Sequence, residues 1–119
     1  MKLKKKLLFV ALIMLMAIGL IYADVQSPVS NIIVNPNPVY KNTFIYIGFT
    51  CNLAVDIVIE NEEGNVVKTL YSGFLNSRYF QTVWDRTSDN GSYLPEGIYY
   101  LSINYNFKYT STKKTIILK

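Results

Sequence analysis

Residues 55–70 read VDIVIENEEGNVVKTL, and this stretch decides the fold. Val55, Ile57 and Ile59 alternate with Asp56 and Glu60, the period-two pattern of a strand with one face in a core. Glu62-Glu63-Gly64-Asn65 follows as a hairpin turn in which Gly64 supplies the positive φ. Val66–Tyr71 then returns, with Val67 and Leu70 directed inward. The same grammar extends in both directions. Upstream, Asn31–Val34 is a short strand stopped by Asn35-Pro36-Asn37-Pro38, because two prolines so close cannot sit in a ladder-paired central strand. Phe44–Thr50 alternates with Ile45, Ile47 and Phe49 on one face. Downstream, Ser72–Ser77 reads as a loop and Tyr79–Trp84 as a fifth strand, with Phe80 and Thr82 facing away from Tyr79, Gln81 and Val83. Arg86–Glu96 is a long polar connection, Ile98–Tyr105 a strong strand, and Lys113–Leu118 the last one. Seven short strands punctuated by Gly and Pro predict an all-β, Ig-like antiparallel sandwich, with a small closed barrel as the alternative.

Residues 1–23, MKLKKKLLFVALIMLMAIGLIYA, differ in kind. A lysine cluster precedes an apolar run from Leu7 to Ile21, and polarity rises at Asp24. That is the layout of a signal peptide. The run falls short of the roughly 20 residues that span a bilayer, although Ile21 is bulky for a cleavage site. The domain plan is therefore a signal peptide at 1–23, a linker at 24–30 and one sandwich at 31–119. Export to the periplasm, cell surface or medium follows, with membrane contact only through the N-terminal segment if it is retained.

The charge has the same origin. Of the 12 Lys and Arg residues, Lys2, Lys4, Lys5 and Lys6 lie in the leader, leaving eight against eight acidic residues. The exported part is neutral, so the net charge of +4 does not predict nucleic-acid binding. The chain has no histidine, which excludes Ser-His-Asp and Cys-His catalysis and His-based metal sites. Cys51 is the single cysteine and has no internal disulfide partner; it reads as a small apolar residue at a strand end.

The run VDIVIENEEGNVVKTL followed by VWDRTSDNGSYLPEGIYYLSI resembles the Ig-like domain of the flagellar hook-capping protein FlgD. The elements carrying the resemblance are Gly64, Val66-Val67, Leu70, Trp84-Asp85, Asn90-Gly91, Pro95, Gly97 and Tyr99. The upstream VNPNP and the terminal KKTIILK are similar to C-terminal sorting modules of type IX secretion cargo. Arg86 stands where the family pattern usually has Gly. The resemblance covers residues 31–119 and implies a sandwich used as a structural or attachment unit.

Few residues suggest chemistry. Asp85, Thr87, Asp89 and Glu96 fall at relative positions 1, 3, 5 and 12, a loose echo of a calcium loop, although Gly91 is one place late. The alternative role of Asp85 is to cap its own turn. A lone Trp84 in a sandwich strand belongs in the core. Nine tyrosines follow residue 23, and Tyr99 and Tyr100 must face opposite ways. Tyr100, Ser102 and Asn104, with Phe107 if the strand continues, form a face able to meet a glycan or a protein, or simply to pair across the sheet. Asp56, Glu60, Glu62 and Glu63 read as a solvated face. Lys113 and Lys114 guard a sheet edge.

No catalytic, metal or cofactor site is expected. The expected function is a non-catalytic secreted module that contacts a protein at the envelope or outside the cell. It would act through the 86–96 connection, the 72–78 loop or a sheet edge. The alternatives are a sorting or attachment module and a small carbohydrate-binding domain.

Overall fold

The computed structural model describes residues 27–105 and 111–119. The signal segment 1–23, the start of the linker and Phe107 lie outside the described residues. Among the described residues there are seven strands: β1 (Val29–Asn35), β2 (Thr43–Phe49), β3 (Leu53–Asn61), β4 (Val66–Leu75), β5 (Tyr79–Trp84), β6 (Gly97–Tyr105) and β7 (Ser111–Leu118). They form two antiparallel sheets, β1-β2-β5 and β4-β3-β6-β7. The result is an all-β, Ig-like sandwich rather than a closed barrel.

The inner faces are those marked by the alternation. Ile45 and Ile47 of β2 stand opposite Val34 and Ile32 of β1, and opposite Thr82 and Phe80 of β5. Across the sandwich, Val55, Ile57 and Ile59 of β3 pair with Tyr105, Ile103 and Leu101 of β6. All of these β2, β3 and β6 side chains are buried in one cluster with Trp84, Ile116 and Leu118. Burial of this aliphatic layer between the two sheets supplies the main stabilisation.

The connection read between residues 72 and 78 is shorter than expected. Ser72–Leu75 belong to β4, where Ser72, Gly73, Phe74 and Leu75 pair with Asp56, Val55, Ala54 and Leu53. Ser and Gly hid this continuation, and two register shifts in the β3–β4 ladder blur the alternation that would have carried it. β1 likewise starts at Val29, inside the stretch read as linker, because Val29 pairs with Phe49.

The outward face of the four-stranded sheet differs from its expectation as well. Glu60 is only 9% exposed rather than solvated, and Lys113 Nζ reaches its Oε2 at 3.2 Å. β3 is an interior strand, so Tyr100 beside it and Lys113 beyond cover the carboxylate. Asp56 stays exposed and accepts a hydrogen bond from the Ser72 hydroxyl at 2.6 Å. Ser102 on the same face is buried and Tyr100 and Asn104 are half-buried, so the Tyr/Asn face is largely filled. Cys51 sits exposed in the β2–β3 connection.

Candidate functional site: the Arg86 strap

The long connection between β5 and β6 is an ordered hairpin in its own right. Thr87 bridges Tyr93, Ser88 N–H donates to Ser92 O at 2.9 Å, and Leu94 N–H donates to Arg86 O at 3.0 Å. Its tip is tied to β4: Asp89 N–H donates to Val67 O, and Asp89 Oδ1 accepts from Thr69 N–H at 3.0 Å. Its base is set by Trp84, which is 1% exposed and donates its indole N–H to Thr87 O at 2.9 Å. A buried Trp whose N–H is satisfied brings a large apolar surface without an unpaired donor.

Arg86 is the centre of this arrangement. It adopts φ +66°, the left-handed region that L residues with a Cβ rarely occupy. Glycine, with no Cβ, occupies that region at no steric cost. The side chain is 3% exposed and makes three main-chain contacts. Nε donates to Leu94 O at 2.9 Å; Nη1 donates to Tyr40 O at 2.7 Å and to the main-chain oxygen of Lys119 at 2.6 Å. The Tyr93 ring lies over the guanidinium, 4.7 Å from Cζ to the ring centroid, and its hydroxyl donates to Tyr40 O at 2.8 Å. One planar cation thus joins the β5–β6 connection, the β1–β2 connection and the end of β7, the geometry that Arg provides and Lys does not.

Tyr99 closes the far side. Near the start of β6, its hydroxyl donates to Pro95 O at 3.0 Å, the arrangement of a tyrosine corner. Burial pushes its phenol pKa up, partly opposed by the charge of Arg86. Asp85 shows the opposite shift. The Thr87 hydroxyl foremost holds its carboxyl below the ordinary value; desolvation opposes this and the Thr87 amide adds to it.

These contacts account for the carboxylates read as calcium candidates. Asp85 serves the Thr87 turn and Asp89 serves the Thr69 amide. Among the described residues no group of three or more Cys, Asp or Glu side chains is placed to hold a metal ion. Glu96 instead lines a wide-open groove of about 290 Å³ with Glu62, Glu63 and Tyr99. Gly64, at φ +83°, forms the adjoining β3–β4 turn, where Asn61 Oδ1 accepts from the Glu63 and Asn65 amides at 3.0 and 2.9 Å. Asn90 and Gly91 form the hairpin tip, with Gly91 N–H donating to Ser88 O. Gly97 opens β6.

Two participants carried no sequence signal. Tyr40 supplies only a main-chain oxygen, and Asn37 acts as a strand mimic beside β7: its Nδ2 donates to Thr115 O at 2.9 Å and its Oδ1 accepts from Ile117 N–H at 3.0 Å. Arg86 did carry one, as the departure from Gly.

This geometry is that of an Ig-like sandwich domain. Residues 52–108 match the sequence profile of the FlgD Ig-like domain. Two solved structures from Porphyromonas gingivalis are similar in fold. One is dimeric latent PorU, at 25% identity and TM-score 0.59, matched over 80% of this chain and 10% of PorU. The other is PorZ, described as an essential bacterial surface component of the type-IX secretion system, at 14% identity and TM-score 0.51, matched over 75% of this chain and 11% of PorZ. The chain thus spans about a tenth of the length of either protein. No curated protein matches it in sequence.

Proposed function

We propose that the protein is a non-catalytic, exported Ig-like module that works by protein–protein contact at the cell envelope or outside the cell. The observation that carries this reading is the strap itself. Three main-chain oxygens from separate segments converge on one buried guanidinium, and the hairpin they fix holds Tyr93 exposed beside Tyr40 of the β1–β2 connection. A preorganised loop end with exposed tyrosines suits partner recognition, because little ordering entropy remains to be lost on binding.

A test is site-specific photocrosslinking in the native cells. A benzoylphenylalanine at position 93 is expected to give a discrete adduct in envelope or extracellular fractions, whereas the same group at Thr69 on β4 gives none. Identical patterns at the two positions would defeat the reading.

A second reading, a sorting or attachment module of the type IX secretion kind, is favoured by the likeness to PorU. It differs in its consequence, since such a module is recognised during export. β7 pairs with β6 from Ser111 to Leu118 and its end is held by Val39 and Arg86. Recognition would then be of a folded domain. Deleting Ile116–Lys119 would abolish export under this reading through loss of the fold. Arg86→Lys, which keeps the charge, would reduce export only in proportion to stability.

A further inference from the structure

Four strands stand at sheet edges, and three of them are guarded. β1 carries a register shift between Val29 and Asn31 and ends at Pro36 and Pro38. β4 meets its partner through two register shifts. β7 bears Lys113 and Lys114, and its C-terminal half is covered: besides the Asn37 bonds, Val39 N–H donates to Ile117 O at 2.7 Å and Lys119 N–H to Val39 O at 2.9 Å. Bulges, prolines, lysines and covering segments are the usual means of keeping an edge from pairing with another chain.

β5 has none of them. Tyr79–Trp84 contains no charge, proline or glycine, and it pairs with β2 from Thr43 to Gly48 without a register shift. Among the described residues no strand lies on its other side. The outward face beside it is equally uncharged. Ile33 stands opposite Tyr46, Tyr46 opposite Gln81, Phe44 opposite Val83, and Gly48 opposite Tyr79. Tyr79 is 49% exposed, and its ring lies nearly parallel to that of Tyr46, 6.1 Å between centroids.

We propose that this edge is an interface between two copies of the chain, β5 pairing antiparallel with β5 of the second copy about a two-fold axis at Gln81. An isologous seam requires self-complementarity, and this strand has it. Centring on Gln81 sets Gln81 against itself, Tyr79 against Val83 of the partner subunit, and Phe80 against Thr82 of the partner subunit. Outward residues meet outward residues and inward meet inward, as the pleat demands. Aromatic against β-branched is a favourable cross-strand pair, and no like charges meet anywhere along the seam. The two three-stranded sheets become one of six strands. This goes beyond the loop-end contact proposed above and uses a different part of the sandwich.

The test uses the whole chain with Cys51→Ser. Gln81→Cys, exposed to a mild oxidant in intact cells, is expected to give a covalent homodimer, because residues directly opposite in an antiparallel pair bring their Cβ atoms near disulfide range. Glu63→Cys, in the exposed β3–β4 turn, gives none. In parallel, light scattering of the whole chain in a non-ionic detergent is expected to report a dimer that Gln81→Lys converts to a folded monomer with an unchanged circular dichroism spectrum, since Gln81 is exposed. A wild-type monomer, a dimer that survives Gln81→Lys, or an adduct of the Gln81→Cys chain with a different protein in place of the homodimer would each overturn the proposal.

Discussion

Arg86 Nη1 donates to the main-chain oxygen of Lys119 at 2.6 Å, so the first turn after β5 and the end of β7 share one hydrogen bond across the sandwich. The two strands lie in different sheets. The bond therefore resists opening of the sandwich at this end, and the same guanidinium also serves Tyr40 and Leu94.

Removing that side chain leaves Leu94 O and Lys119 O without this donor, while Tyr40 O keeps only the Tyr93 hydroxyl. Arg86→Ala is expected to destabilise the fold by about 2–4 kcal/mol, from lost charge-assisted bonds and newly unpaired carbonyls. Arg86→Gly loses the same bonds but relieves the left-handed backbone, worth about 1–2 kcal/mol. The glycine variant should thus be the more stable of the two in urea denaturation, an inversion of the usual order of Ala over Gly. If the alanine variant proves the more stable, the backbone at position 86 is not under the strain its φ implies.

Trp84 offers a separable pair of changes. Trp84→Ala empties the centre of the core and is expected to cost about 3–5 kcal/mol, enough to leave a domain of this size largely unfolded. Trp84→Phe keeps most of the apolar bulk but removes the donor to Thr87 O, a loss of about 1–3 kcal/mol. Near-equal midpoints for Trp84→Phe and the wild-type chain would mean that the indole N–H has no part in holding the hairpin.

The strands were legible because an apolar residue recurs at every second place. Ile45, Ile47 and Phe49 of β2, and Leu53, Val55, Ile57 and Ile59 of β3, hold that period and all lie in the core cluster. Where the rule of alternation is broken by geometry, the reading failed. Ser72 and Gly73 look like loop residues, yet they pair with Asp56 and Val55 after two shifts in the ladder. Glu60 looks solvated, since its position in an interior strand of the sheet depends on β6 and β7 arriving from 40 to 50 residues away. The strap was half legible. An arginine in a glycine place is visible in the sequence, but its three acceptors are main-chain oxygens, which no side-chain pattern reveals.

The spacing of Asp85, Thr87, Asp89 and Glu96 makes a calcium experiment informative. Asp85 and Asp89 already accept main-chain hydrogen bonds from different segments, Thr87 and Thr69. A ligand that binds only the folded state raises the melting temperature by mass action. Millimolar calcium is therefore expected to leave the melting temperature where a chelator leaves it. A rise that Asp89→Asn abolishes would mean that the loop rearranges to bind the ion.

Asp85 and Tyr99 predict opposite limbs of the pH profile. The carboxyl of Asp85 is held below its ordinary value by Thr87. Its contribution to stability is therefore present above the unfolded value of about 3.9 and is lost as pH falls through the folded value. The phenol of Tyr99 is raised by burial. Its contribution is complete below the unfolded value of about 10 and is lost as pH rises through the folded one. Thr87→Val removes the dominant donor to Asp85, so the wild-type advantage over this variant should hold at neutral pH and narrow on the acid side. The direct reading is a carboxyl-carbon NMR titration: Asp85 should titrate below the usual carboxylate range in the wild-type chain and move upward in Thr87→Val. Equal midpoints in the two proteins would remove Thr87 as the cause. Tyr99→Phe should likewise lose its alkaline limb while remaining less stable than wild type at neutral pH by about 1 kcal/mol, the worth of the bond to Pro95 O.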